Sequence, residues 1–114
     1  MSHLNKINSK IFSLDDLKNQ VNAWKQAGEE VVFTNGCFDI LHPGHIELLK
    51  YARSLGDHLI VGIDSDSRIQ IKKGLIRPIN NSNIRVEMLK AIRYVDSVHI
   101  FNDDDELINL VKYC

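Results

Sequence analysis

Two histidines three positions apart, His42 and His45, bracket a Pro43-Gly44 step, with Cys37 and Asp39 shortly before them. Thiol, imidazole and carboxylate together are ligands for a metal ion. Two imidazoles at the start of a helix are also donors to phosphoryl oxygens, beside the free amides and positive dipole end that favour anions. Third, the group could be a polar turn that caps a helix and does nothing more. Zinc held by Cys37, His42 and His45 needs a fourth ligand, and the sequence offers no Cys-x-x-Cys or second His pair to supply it. The phosphate reading is favoured, because phosphoryl or nucleotidyl transfer needs positioning and charge neutralisation rather than a covalent nucleophile. On this reading Asn35-Gly36 makes the sharp turn, and Gly44 removes a side chain that would block a phosphate from the helix amides. Asp39 is either a metal ligand or, preferably, a buried carboxylate that holds the turn through backbone amides.

A second group follows in "IKKGLIRPINNSNIR", where Lys72, Lys73, Arg77 and Arg85 lie around Gly74 and Pro78. A solvated basic loop is one reading. Arg85, however, falls in the first turn of an expected helix, where the dipole disfavours a cation, so an anion nearby is expected and phosphate contact is favoured. The acidic cluster Asp103, Asp104, Asp105 and Glu106 reads mainly as capping of a last helix, with an Mg²⁺-orienting role for one of them as the alternative.

The elements that must carry these residues alternate. Ser13 opens a helix with Leu14, Leu17, Val21 and Trp24 on one face, and Gly28 stops it. A buried strand is expected over 30–34, then a helix through "HPGHIELLKYARS" with Ile46, Leu49 and Ala52 at helical spacing. "HLIVGID" is a strand covered on both faces, "SRIQIKKGLIRPINN" a basic loop, and 82–92 a helix with Ile84, Met88, Leu89 and Ile92 inward. "DSVHIF" is a third strand and "DDELINLVKYC" a last helix. The order α, β, α, β, α, β, α predicts an α/β, Rossmann-like, doubly wound parallel sheet, with ligands at the carboxyl ends of its strands. Residues 1–12 read as an arm and 13–114 as one domain. With 14 basic and 15 acidic residues, the chain has no field suited to gripping nucleic acid or an anionic membrane. The two cysteines make no disulfide framework and no apolar run is long enough to span a bilayer, so a cytoplasmic protein is expected.

"TNGCFDILHPGH" together with "KGLIRPINNSNIR" resembles the cytidylyltransferase-like nucleotidyltransferases, nearest to the sugar-phosphate branch that makes ADP-heptose. The His-x-Gly-His signature matches His42 to His45, and Lys-Gly-x-x-Arg-Pro-x-Asn-x4-Arg matches Lys73 to Arg85. The resemblance implies attack by an acceptor phosphate on the α-phosphorus of a nucleoside triphosphate, ATP rather than CTP, with Mg²⁺ present and pyrophosphate leaving. The implied acceptor is a phosphorylated small molecule such as heptose 1-phosphate; glycerol 3-phosphate with CTP is the alternative. Catalytic roles carry over to His42, His45, Lys73 and Arg85, and nucleotide contacts to Thr34, Asn35, Gly36, Cys37, Phe38, Asp39, Gly44 and Arg77; no residue is assigned to hold a metal. Family members continue with a further strand and a late Ser/Thr-rich motif, so an incomplete domain is expected here. The strand over 31–34 would then be an exposed edge, covered in a homodimer or left open in a fragment that only binds nucleotide. Lys72 also stands where the family commonly has an apolar residue.

Overall fold

The Ser13 hydroxyl accepts the Asp16 backbone N–H at 3.1 Å, and the first described helix, α1 (Leu14–Gln26), follows from this cap. The computed structural model describes residues 13–114, so the expected arm over 1–12 lies outside the described residues. After α1 come β1 (Val31–Gly36), α2 (Pro43–Ser54), β2 (His58–Asp64), α3 (Asp66–Lys73), α4 (Ser82–Lys90), β3 (Ser97–Phe101) and α5 (Asp104–Tyr113). The three strands form one parallel sheet in the order β1-β2-β3. In register, Val31 lies beside His58 and Gly36 beside Ile63, while Ile60 lies beside Ser97 and Asp64 beside Phe101.

Strand β2 shows why the sheet needs helices on both sides. Its side chains alternate: Leu59, Val61 and Ile63 join Phe38, Leu49, Leu89 and Val95 in one core, while Ile60 joins Leu17, Val21, Phe101 and Leu110 in the other. Thus α2 and α4 cover one face, and α1 and α5 the other. Gly62 faces the second core, and a Cβ there would lie 2.9 Å from Cζ of Phe33 and 3.3 Å from Cε1 of Phe101. The amino ends of the strands are tied separately. Trp24 stacks on His58 at 3.8 Å between ring centres, and the Asp96 carboxylate accepts the Leu59 N–H at 2.7 Å.

Three expectations are corrected. The segment expected to be basic loop begins with helix α3, so the order is α, β, α, β, α, α, β, α. Ser65 caps α3 by accepting the Arg68 N–H at 3.2 Å, Asp66 sits in its first turn, and Lys72 and Lys73 in its last. Only Ile69 of its residues is buried, which leaves too little periodic apolar signal to reveal a helix. On α4, Ile84 and Met88 are 46% and 42% exposed, not inward, because Arg85 and Leu89 take the buried stripe. Finally, β1 continues past 34 through Asn35 and Gly36, held by the ladder to Gly62 and Ile63. Among the described residues β1 has a strand neighbour on one side only, and Val31 to Thr34 are half-buried there.

Candidate active site

The carboxyl end of β1 leads straight into a turn that its own sequence strains. Phe38 has φ +49°, the left-handed region that an aromatic residue adopts only under constraint. Its buried ring lies over Gly36, where a Cβ would come within 3.0 Å of the ring. The same ring meets His45 edge-on, with centres 5.3 Å apart.

Helix α2 then opens on a reciprocal cap made by the two histidines. His42 precedes the helix, and its Nδ1 accepts the Gly44 N–H at 3.0 Å. The His45 Nδ1 accepts the His42 N–H at 3.3 Å. The two rings lie 3.9 Å apart, and Pro43 supplies the first helical residue. Nδ1 of each ring accepts, so in the neutral imidazole the ring N–H lies on Nε2, the atom left to donate to a ligand. Burial, aided by the neighbouring His42, lowers the His45 pKa below its ordinary value of 6.5. This geometry changes the reason for Gly44. A Cβ there would sit 2.8 Å from Cε1 and 3.0 Å from Nδ1 of His42, so the glycine makes room for the imidazole, and its amide is already engaged.

Asp39 is buried and fastens this turn to the segment 77–80. Its Oδ1 accepts the Asn80 N–H at 2.8 Å, and its Oδ2 accepts the Ile79 N–H at 2.9 Å and Arg77 Nη1 at 3.2 Å. Burial opposes ionisation, but the amides of Asn80 and Ile79 and the Arg77 guanidinium outweigh it, holding the carboxyl below its ordinary value. Asn80 Nδ2 returns a hydrogen bond to the Asp39 carbonyl at 2.7 Å.

Arg85 departs from its expected place among phosphate ligands. It is 1% exposed, and its guanidinium is committed to protein acceptors: Nε to the Asn80 carbonyl at 3.0 Å, and Nη1 to the carbonyls of Cys37 at 3.0 Å and Asp64 at 2.7 Å. Nη2 reaches Asp66 Oδ1 at 2.6 Å. The anion expected near this cation is therefore the Asp66 carboxylate with three carbonyl dipoles. Lys73 ends α3 and is exposed, Arg77 is half-exposed, Thr34 and Cys37 are half-buried, and Asn35 is exposed.

The sequence reading assigned no role to Asp64, Asp66, Arg68 or Asn80. Asp64 is buried at the end of β2, where its Oδ2 accepts from Arg68 Nε and from Lys72 Nζ, both at 3.1 Å. Arg68 Nη2 also reaches Asp104 Oδ1 at 2.7 Å, and that hydrogen bond holds the Asp104 carboxyl below its ordinary value. The one available signal was position: "DSDSR" is a strand end on the ligand side of the sheet. Asp103 caps α5 by accepting the Glu106 N–H at 2.9 Å. Among the described residues no group of three or more His, Cys, Asp and Glu is arranged to hold a metal ion. The carboxylates of Asp39, Asp64 and Asp66 are engaged by cations or amides, so these donors do not fit a protein-held Mg²⁺.

A parallel, helix-covered sheet with a histidine-capped helix at the carboxyl end of its first strand places the molecule among Rossmann-like α/β domains that handle ligands at that edge. More particularly, the chain belongs to the cytidylyltransferase-like family, whose model matches residues 33–112, and it is a domain of nucleotidyltransferase type. It is 46% identical over 97 residues to the "Bifunctional protein HldE" of Hyphomonas neptunium, covering 85% of this chain and 20% of that protein. The HldE of Wolinella succinogenes is 40% identical over 113 residues, 97% of this chain and 24% of the relative. The chain thus spans about a fifth to a quarter of the length of these curated relatives. Among solved structures it is similar to "the lipopolysaccharide core biosynthesis protein from Thermoplasma volcanium", with a TM-score of 0.67 and 34% identity, covering 75% of this chain and 69% of that one.

Proposed function

We propose that this domain transfers a nucleoside monophosphate from a nucleoside triphosphate, ATP in preference to CTP, to a sugar 1-phosphate such as heptose 1-phosphate. An acceptor phosphate oxygen forms a bond to the α-phosphorus, the bond from that phosphorus to the bridging oxygen breaks, and pyrophosphate departs. The observation that carries this reading is the reciprocal His42–His45 cap, which uses Nδ1 of both rings, leaves their Nε2 atoms to donate, and holds the ring centres 3.9 Å apart. Donors fixed before the reaction stabilise charge developing on phosphoryl oxygens without reorganising as it develops. The similarity to HldE proteins and to a lipopolysaccharide core biosynthesis protein supports the sugar-phosphate acceptor. Mg²⁺ enters as the companion of the triphosphate and therefore as part of the substrate, supplying charge neutralisation there. Lys73 and Arg77 are the cations proposed to meet the substrates, and a homodimer in the cytoplasm is the proposed setting. The test is pyrophosphate release with ATP or CTP and either heptose 1-phosphate or glycerol 3-phosphate. Release with ATP and heptose 1-phosphate is expected, and silence with all four pairs sinks the reading.

The edge position of β1, which has a strand neighbour on one side only among the described residues, favours a second reading, a module that binds nucleotide without turnover. Calorimetric binding of ATP with no pyrophosphate release identifies that case.

A further inference from the structure

We propose that Arg85, with Asn80, is a positioning residue that keeps Phe38 in its left-handed turn and thereby sets His45, rather than a ligand of the substrate's phosphates. The proposal rests on the nucleotidyl-transfer reading for its catalytic consequence, but its structural core does not. Among the described residues Phe38 is the one non-glycine with positive φ. Such a conformation is strained and survives only where its surroundings over-determine it.

The surroundings that do so come from one segment. Arg85 Nη1 holds the Cys37 carbonyl at 3.0 Å, on the peptide group that enters Phe38. Asn80 Nδ2 holds the Asp39 carbonyl at 2.7 Å, just beyond it. The two clamps are joined, because Arg85 Nε also holds the Asn80 carbonyl at 3.0 Å. Arg85 is itself anchored by the Asp64 carbonyl and the Asp66 carboxylate, so the turn after β1 is tied to the end of β2 and the start of α3. Between the clamps the Phe38 ring fills the space over Gly36 and meets the His45 ring at 5.3 Å. Releasing either clamp lets φ of Phe38 relax, and His45 loses the surface that orients it. A planar guanidinium can satisfy four acceptors in fixed directions, whereas an ammonium cannot reproduce that fork.

The experiment compares Arg85→Lys, Arg85→Gln and Asn80→Ala with Gly62→Ala, a destabilised control whose site is in the opposite core. Asn80→Ala deletes a single hydrogen-bonding side chain and decides the matter if the Arg85 variants do not fold. Imidazole ¹H–¹⁵N spectra of the ligand-free proteins are recorded, with His45 assigned by its loss in His45→Gln. The His45 resonances should move in Asn80→Ala and in both folded Arg85 variants, and stay in place in Gly62→Ala. In turnover, kcat should fall on the order of tenfold or more with little change in nucleotide KM, and Lys should rescue no better than Gln. Unmoved His45 resonances in Asn80→Ala overturn the proposal. So does Arg85→Lys retaining most activity while Arg85→Gln loses it through KM, the signature of a phosphate contact. If the unaltered chain releases no pyrophosphate, the transfer reading fails while the spectra still decide this one.

Discussion

A Cβ on Gly44 would stand 2.8 Å from Cε1 of His42, so the ring of His42 occupies the space that a side chain at the glycine of the His-Pro-Gly-His turn would take. That contact links the backbone at the helix start to the imidazole that caps it, and it makes the first prediction sharp. Gly44→Ala should push the His42 ring off the Gly44 amide, costing about 0.5–2 kcal/mol of stability through the lost cap. Transfer activity should fall on the order of a hundredfold, because a donor displaced by about 1 Å no longer meets its oxygen. Thermal unfolding together with pyrophosphate release checks both parts. A variant with near-normal activity would mean that His42 is not held for catalysis by this contact.

The His45 cap gives a pH prediction of defined sign. Burial and His42 lower its pKa below 6.5, so the neutral ring, with Nδ1 accepting the His42 N–H, persists below the pH at which a free imidazole gains a proton. Protonation at Nδ1 would replace that acceptor with a donor facing another N–H. An NMR titration should therefore place His45 below 6.5, and the His42 amide resonance should shift as His45 titrates. A titration midpoint above 6.5 would sink the neutral-donor reading.

His99 bears on stability rather than on the site. It is buried in β3 against the Ser97 hydroxyl, and burial lowers its pKa to about 4. Since its folded value lies below the unfolded value, the unfolded chain binds the extra proton between them. Stability is thus complete above about pH 6.5 and is lost as pH falls toward 4, by on the order of 3 kcal/mol. Asp39, whose carboxyl is also held low, adds a loss of the same sign at still lower pH. Urea unfolding of His99→Gln between pH 7 and 4 should show a clearly flatter pH dependence than the unaltered chain. An equal slope would refute the assignment to His99.

How much of this was legible from the sequence follows from what each residue signals locally. The strands and most helices could be read, because "HLIVGID" needs cover on both faces and "DDLKNQVNAW" carries an amphipathic period. The histidine turn was legible for the same reason: its turn residues and its chemistry occupy consecutive positions. Helix α3 was not, since it buries only Ile69 and is specified mainly by its Ser65 cap and terminal charges. For Arg85 the sequence shows which end of the sheet it occupies but not which groups of the fold its guanidinium meets. Its acceptors, the carbonyls of Cys37 and Asp64, are 48 and 21 positions away and carry no side-chain signature. Likewise for Gly44, sequence shows that a Cβ is missing but not that the His42 ring fills the space beside it.

Gly62 offers a test of the fold that leaves the site alone. It lies in the middle of β2, where a strand ordinarily carries a β-branched residue, and its absent side chain admits the rings of Phe33 from β1 and Phe101 from β3. In Gly62→Ala the new methyl would lie 2.9 Å from Cζ of Phe33 and 3.3 Å from Cε1 of Phe101. Removing a glycine from a strand favours folding slightly, by up to about 1 kcal/mol. Forcing two rings apart in a packed core costs about 1–3 kcal/mol, so the clash should win and the variant should be less stable. Denaturant unfolding should show a lower midpoint with an unchanged slope, because the surface exposed on unfolding is the same. A midpoint at or above that of the unaltered chain would mean that Phe33 can rotate away freely, and that the second core is looser than the contacts of Phe33 and Phe101 imply.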